Sequence, residues 1–388
     1  MIFNSHFLSK IKMGIKGLNN LLRNNCPNIF ELIHISEYSF KKVAIDISLY
    51  LCKFKTVCGD RWLSAFVNLI ACLRKNEVHC VFIYDSGAPP EKELERKERA
   101  DQRKKMEEKV YKLEEAVEKF HLTSEIDQIL IDLYKKKQKS DFSKRLLKNN
   151  EGFVNMNLVE EHVKKMRSYI LDISPEDFHL TKKLFDILKV PYYDAPLEAE
   201  TMCSDLCKRG IVDAVLSEDT DVLAYGTPVF LSKINTTDGT CIRIKYPELL
   251  ENLNLLSDEF LDVCIMCGTD YNKNIFRVGP EKSYKYIKKY STIEELSNNT
   301  NLDITILNHN KVRELFRNYE QTDIKVPYCG SPDFNLLSKF IFKHNIRCNI
   351  EGLKKSFIHS TIIFEEENQE LVIEDTDDSI NFDRKENI

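Results

Sequence analysis

Apolar positions along the chain fall into two periodicities. Leu18, Leu21 and Leu22 recur at helical spacing, and residues 62–74 (WLSAFVNLIACLR) read as an apolar helix. Short runs rich in β-branched residues punctuate such segments: Val43 to Ile47, Val81 to Tyr84 and Val212 to Leu216. Strands that alternate with helices predict an α/β fold, a mostly parallel twisted central sheet with helices on both faces. A β-like stretch from Thr227 to Ile244 follows, broken at Asp238-Gly239. A helix then runs from Ser257, read as its N-cap, with Glu259 in the first turn and an end near Gly268. Gly279-Pro280 opens a further helix that carries Lys282, Lys285, Lys288 and Lys289. That is the outline of a helix–hairpin–helix-like DNA-binding element, where amides at a helix N-terminus hold a phosphate; a basic surface helix has the same composition.

Acids interrupt this pattern at informative places. Asp46 is the one charge inside the first apolar run. Asp85 ends the second, before the breakers Gly87, Pro89 and Pro90. Asp219 and Asp221 follow the third, and Asp270 follows the helix that ends near Gly268. Glu198 and Glu200 stand just after Pro196, at a helix start. A single Asp at a strand end is commonly a turn former or helix cap. Repetition across three strands is different, because ligands of parallel sheets bind at the carboxyl ends of the strands. Gathering carboxylates there costs repulsion and desolvation, and a divalent cation is the usual compensation. Hard Mg²⁺, with oxygen ligands and retained waters, suits such a cluster beside a phosphate substrate.

The net charge of −5 hides an asymmetry. Residues 365–388 hold ten acids and two bases and read as an acidic disordered tail. Without them the chain has 54 Lys+Arg against 51 Asp+Glu; setting aside the seven clustered acids leaves the remainder at +10. A phosphate-backbone partner fits that balance. No stretch approaches the length of a membrane span, and the start MIFNSHFLSKIK is too short and polar for a secretory signal. Twelve cysteines without regular spacing fit a reducing compartment, nuclear or cytoplasmic rather than secreted. Cys264 and Cys267 form a lone C-x2-C and read as buried helix cysteines.

Residues 91–119 are almost continuously charged, without Gly or Pro, as in a solvated helix laced with i,i+4 pairs. With helix-compatible stretches at 125–150 and 158–171, they read as a long, mostly helical insertion. The expected organisation is an extension at 1–12, an N-terminal region at 13–100, a charged helical insertion at 101–171, an internal region at 172–300, closing helices at 301–364 and the tail.

These motifs resemble the flap endonucleases, the XPG-type structure-specific nucleases, from Met13 to about residue 360. MGIKGL, KKVAIDIS and VFIYDSGAPP are similar to the family's N-region. YYDAPLEAE, LSEDTDVLAYG and MCGTDYN are similar to its internal region, and VGPEKSYKYI to its duplex-gripping turn and helix. PDFNLLSKFI resembles its closing helices. The resemblance implies a PIN/resolvase-like nuclease fold and two Mg²⁺ ions, replaceable by Mn²⁺, held by Asp46, Asp85, Glu198, Glu200, Asp219, Asp221 and Asp270. It implies Lys92 and an arginine, Arg96 or Arg99, at the scissile phosphate; simple alignment puts Lys97 at that place. Gly14 lies near the substrate, and Gly279, Lys282 and Lys285 grip the duplex. Glu198 and Glu200, two residues apart, would not face the same way on a regular helix, so at least one of them is expected to act through metal-bound water.

The chain departs from the family pattern in several places. Cys52 stands where the family stacks an aromatic on a base, which makes Tyr50 the substitute. Arg277 replaces the first glycine of the duplex-gripping turn, and leaves its geometry and any bound K⁺ open. Asp85 and Glu198 lie 113 residues apart, more than a compact arch needs. The extension ahead of Gly14 would crowd the substrate, so translation is expected to start at Met13, or 1–12 to be disordered. The tail lacks a clamp-binding pattern; Gln128, Ile131 and Tyr134 match it in part inside the insertion, so a sliding-clamp partner is not supported. The expected activity is Mg²⁺-dependent hydrolysis of branched or flap DNA by a monomer, in replication or repair. The alternatives are a bubble or Holliday-junction nuclease, a 5′ exonuclease, and a catalytically silent junction binder.

Overall fold

The computed structural model describes residues 14–140, 154–170, 173–348, 350–357, 361–364 and 371–374. The extension at 1–12, and the tail apart from Leu371–Glu374, lie outside them. Seven strands build the main sheet: β1 (Glu31–His34), β2 (Lys42–Asp46), β3 (His79–Tyr84), β4 (Tyr192–Asp194), β5 (Ala214–Leu216), β6 (Val229–Ser232) and β7 (Thr240–Lys245). Their order is β1-β7-β6-β5-β2-β3-β4. The five strands from β6 to β4 are parallel, and β7 and β1 add an antiparallel edge. The mostly parallel sheet is as the apolar runs predict.

Side-chain alternation in the central strands feeds two cores. Ala44, Val81, Ile83 and Val215 pack with helices Leu18–Asn25, Ala199–Lys208 and Ser257–Cys267 on one face. Val43, Ile45, Phe82 and Leu216 pack on the other with helices Ile47–Cys58, Trp62–Lys75 and Pro175–Leu188. There Phe82 stacks on Phe185, with ring centroids 4.2 Å apart. All six residues of β3 are buried, which is why its sequence is apolar from Cys80 onward rather than alternating.

The insertion is a folded unit. Helix Glu93–Thr123 has 31 residues, a rod about 46 Å long at 1.5 Å per residue. Within its charged sequence Val110, Leu113 and Ala116 are buried. They pack on helices Gln128–Ser140 and Met156–Arg167 through Leu130, Leu133, Val159, Val163 and Met166. This third core shares no residue with the cores on the sheet.

Three local expectations change. The third apolar run begins its strand at Ala214 rather than Val212, because the Asp213 carboxylate turns to accept the Lys42 amide at 2.8 Å. Leu256, not Ser257, is the N-cap of helix Ser257–Cys267; the Glu259 carboxylate caps the Leu256 amide at 2.8 Å, and the Ser257 hydroxyl bonds Tyr246 instead. Leu371–Glu374 is a strand, β9, antiparallel to β8 (Thr361–Phe364), so this part of the expected disordered tail is paired. Among the described residues no helix is long and apolar enough to cross a membrane.

Because the insertion core is separate, Leu113→Ala should loosen it alone. We expect the usual loss of about 2–5 kcal/mol for a buried leucine to appear as faster amide exchange across 93–123, 128–140 and 156–167. Exchange in β2 and β3 stays unchanged; equal acceleration there would mean that the insertion and the sheet unfold as one unit.

Candidate active site

Helix N-termini hold the acids at the carboxyl edge of the sheet. Asp46 ends β2 and caps helix Ile47–Cys58, its Oδ1 accepting from the Ser48 amide at 2.8 Å and the Leu49 amide at 3.3 Å. Asp85 follows β3 and accepts from the Ala199 amide at 2.7 Å, at the start of helix Ala199–Lys208. Asp219 accepts from the Asp221 amide at 2.8 Å, which opens the short helix Asp221–Ala224. Each acid is therefore both a cap and a member of one cluster, since partial positive charge at a helix start favours a carboxylate.

Glu198 and Glu200 converge despite their spacing. Glu198 is the N-cap, with extended backbone (φ −101°, ψ 136°), and Glu200 lies in the first turn. The helical geometry that would separate them has not begun at Glu198. Both reach Lys92: its Nζ is 2.5 Å from Glu198 Oε1, 3.7 Å from Glu200 Oε1 and 3.0 Å from Asp270 Oδ2. Arg99, two turns on from Lys92 in helix Glu93–Thr123, which Lys92 N-caps, donates through Nη2 to both Asp270 oxygens at 2.9 and 3.1 Å, and also meets Glu95. Arg96 and Lys97 are exposed, with Lys97 pairing to Glu93. Of the cations considered, Lys92 and Arg99 enter the cluster and Arg96 does not.

The charge balance is unfavourable as it stands. Oxygens of Glu200, Asp219 and Asp221 all lie within 4.8 Å of one another. Burial pushes the Glu200 and Asp221 carboxyls well above their usual range; neighbouring acids add to this, and Lys92 offsets it only partly. Burial also raises Asp46, with Asp85 and Asp219 as further causes, and raises Asp219 to about 6. Lys92 is held above its ordinary range: burial opposes its charge, but Glu200, Asp270 and Glu198 outweigh it. Glu200 Oε1 and Asp221 Oδ1 are buried without a hydrogen-bond partner. Orphaned carboxylate oxygens converging on one point, with acceptor-only chemistry, fit a hard divalent cation. Glu200, Asp219 and Asp221 would hold it.

Sequence reasoning missed some participants. The Tyr271 hydroxyl donates to Glu198 Oε2 at 2.6 Å and meets the Tyr225 hydroxyl at 2.8 Å, which in turn accepts from Thr201. With Lys92 on its other oxygen, Glu198 is fixed at both ends. Only Tyr271's place beside Asp270 hinted at this. Lys53 and Glu218 form a buried pair at 2.6 Å directly before Asp219. Gly14 does lie at the site: with φ +72°, a Cβ there would overlap Asp219 Oδ1 and sit 2.7 Å from the Thr220 amide nitrogen. Gly17 packs on Pro280 and the Lys16 amide bonds the Gly268 carbonyl, so the N-terminal segment ties the acids to the Gly279-Pro280 turn. There Gly279 is the N-cap of helix Pro280–Tyr290, and Lys282 and Lys285 are exposed.

Tyr50 is a correction. Its ring is fully buried against Phe54, with centroids 5.5 Å apart, so it presents no face to a nucleobase. It lies on the sheet-facing side of helix Ile47–Cys58, whereas Cys52 is partly exposed. Arg277 keeps a left-handed backbone, φ +61°, where a glycine would rest without the strain of about 1–2 kcal/mol that a side chain adds.

Cation binding should register in stability. The raised carboxyls bind protons more tightly when folded than when unfolded, so stability without cation falls as pH rises through about 6, toward 7.5. Glu294, held down to about 2 by Arg313, contributes in the opposite sense and only at lower pH. We expect Mg²⁺ or Mn²⁺ to raise Tm at pH 7.5, by an increment that shrinks toward pH 5.5 as protons compete. Asp221→Asn should raise Tm without cation and remove most of the cation response. A Tm indifferent to both ions would contradict the site.

The chain matches the XPG N-terminal domain over residues 13–106 and the XPG I-region over residues 189–270. It is 34% identical over 385 residues to the probable RAD2-like endonuclease 369L of Invertebrate iridescent virus 6, covering 89% of this chain and 92% of that protein. It is 28% identical to flap endonuclease 1 of Aedes aegypti, over 85% of this chain and 82% of the relative. In fold it is similar to the catalytic core of Rad2 in complex with DNA substrate (TM-score 0.60, 16% identity, 89% of this chain and 99% of that one). It is also similar in fold to flap endonuclease-1 from Methanococcus jannaschii (TM-score 0.54, 22% identity, 84% and 94%). The cluster of acids at the carboxyl edge of a parallel sheet thus sits in a chain whose sequence matches across both conserved regions, and the chain belongs to the XPG family of nucleases, alongside the RAD2-like endonucleases and flap endonucleases.

Proposed function

We propose that this nuclease hydrolyses DNA phosphodiesters where a single strand leaves a duplex, removing a 5′ flap and leaving a 5′-phosphate and a 3′-hydroxyl. One observation carries the reading: partner-poor, buried carboxylates converge at the foot of a long helix that brings Lys92 and Arg99 into the same cluster. The cation is Mg²⁺, replaceable by Mn²⁺, in two positions. Glu200, Asp219 and Asp221 would hold one, and Asp46, Asp85, Glu198 and Asp270 are the other acids of the set that would hold the pair. When bound, the ions supply positive charge to the reacting phosphate and lower the pKa of the attacking water.

The chain's own residues do the rest. Lys92 and Arg99 are ion-paired with Asp270 and are positioned to exchange carboxylate oxygens for phosphate oxygens. Arg99 brings the planar fork that matches a phosphate at two points. Tyr271 keeps Glu198 in place during that exchange. Water attacks phosphorus, and the bond to the 3′-oxygen breaks in line. The Gly279-Pro280 turn, joined to the acids through Gly14 and Gly17, lies where the duplex beside the cut would run. The protein acts as a monomer. A bubble or four-way junction is the second reading; the self-packed insertion, which places a three-helix unit beside the site instead of a bare loop, favours it.

Asp85→Ala and Asp221→Ala should abolish cleavage and leave much of the DNA affinity; cleavage near the wild-type rate in both would sink the assignment. Single-turnover rates should separate the arginines. Arg99→Ala is expected to slow the step by about 10²–10³, as for loss of a donor to developing charge, and Arg96→Ala to stay within a few fold. Product mapping with Mg²⁺ on 5′-labelled double flap, bubble, four-way junction and blunt duplex identifies the substrate. Short products from the flap alone support the first reading, and symmetric junction cuts the second.

A further inference from the structure

Glu198 and Tyr271 form part of the wall of a cavity of about 140 Å³. Tyr225 and Tyr319 add two more aromatic side chains, and Pro89, Leu197 and Asn318 also line it. These rings are held in place. Phe316 packs on Tyr225 and Tyr271, with centroids 4.7 and 5.4 Å away. The Tyr225 and Tyr271 hydroxyls meet at 2.8 Å, and Lys208 Nζ donates to the Tyr319 hydroxyl at 2.6 Å and to the Tyr225 carbonyl at 3.2 Å. At the rim Leu197 is 48% exposed, directly before Glu198, and Asn318 is exposed as well. A preformed, largely aromatic hollow with a few polar groups has the character of a small-ligand site. A cavity of roughly 150 Å³ takes a benzene molecule, so this space suits a six-membered ring rather than a fused pair. Pro89 places it at the root of helix Glu93–Thr123, and none of its lining residues belongs to the Gly279-Pro280 turn. Its guest therefore comes from the single strand and not from the duplex arm.

We propose that this cavity is a nucleobase subsite, which takes the base of the nucleotide on the flap side of the cut and prefers a pyrimidine to a purine. The tyrosine rings give the base an aromatic surface, and the Asn318 amide offers a donor and an acceptor to its edge. Glu198 is common to the cavity and the acid cluster, so a base seated here belongs to a nucleotide adjoining the phosphate that is cut. Seating it turns the base out of the stack and fixes that phosphate beside Lys92. The inference rests on the nuclease reading above and adds to it a base preference at one position.

The test uses the full chain and flap substrates that differ only in the flap nucleotide next to the cut: thymine, adenine or an abasic site. Affinity is read by fluorescence anisotropy without divalent cation. The wild-type chain should bind the thymine flap about tenfold more tightly than the abasic one, as for the stacking of one base, and the adenine flap no better than the abasic. Exchanging T·A for A·T on the duplex side of the cut should change nothing. Leu315→Trp, which sends an indole into the cavity from helix His309–Arg317, should bring the thymine flap down to the abasic affinity and leave the abasic affinity as it was. That unchanged value separates a filled cavity from a lost fold. Asn318→Ala, at an exposed position, should lose a few fold on thymine alone. Equal wild-type affinity for thymine and abasic flaps overturns the subsite whatever the variants do, and so does a thymine preference that survives Leu315→Trp. Flap cleavage by the wild-type chain with Mg²⁺ is measured in parallel. Failure there overturns the nuclease reading, while the affinities still decide the subsite.

Discussion

Mutual repulsion among carboxylates is the constraint on which this structure turns. Glu200, Asp219 and Asp221 bring oxygens within 4.8 Å of one another, and Asp46, Asp85, Glu198 and Asp270 surround them. Such a group cannot be held by packing alone, because each buried charge loses hydration. Three devices hold it: helix-start amides on Asp46, Asp85 and Asp219; Lys92 in the midst of Glu198, Glu200 and Asp270; and Tyr271 on Glu198. What remains without a hydrogen bond, one oxygen each of Glu200 and Asp221, is the demand that a cation meets.

The architecture follows from that demand. A parallel sheet delivers several strand ends, with the helices that follow them, to one edge, and separate segments of sequence can each contribute an acid there. Helix Glu93–Thr123 roots beside the cluster through Lys92 and Arg99, so its position and the charge of the site are linked. The N-terminal segment bridges the acids to the turn before helix Pro280–Tyr290. Chemistry, long helix and the turn before helix Pro280–Tyr290 therefore share one electrostatic centre.

Much of this was legible in the sequence because strand ends are legible. An acid inside or just past an apolar β-branched run, repeated over three strands, singles out Asp46, Asp85, Asp219 and Asp221. The convergence of Glu198 and Glu200 was not, since spacing alone places them apart on a helix; the extended backbone at Glu198 reverses that. Tyr50 shows the opposite failure. Its place two residues before Cys52 suggested a base-stacking ring, but Tyr50 and Phe54 are one helical turn apart on the buried face. Val110, Leu113 and Ala116, spaced three apart within a charged helix, were a readable sign of the insertion core. Beyond Tyr271's place beside Asp270, Tyr271 and the pair Lys53–Glu218 carry no pattern, because their roles depend on partners distant in sequence.

Crystals of the chain grown with Mn²⁺, with data collected at the manganese edge, test the central claim most directly. The account requires an anomalous peak between Glu200, Asp219 and Asp221, with Lys92 displaced from at least one of its carboxylates. Absence of a peak there at saturating Mn²⁺, with Lys92 still bonded to Glu198, would mean that lysine and protons alone balance the acids, and the account would fail.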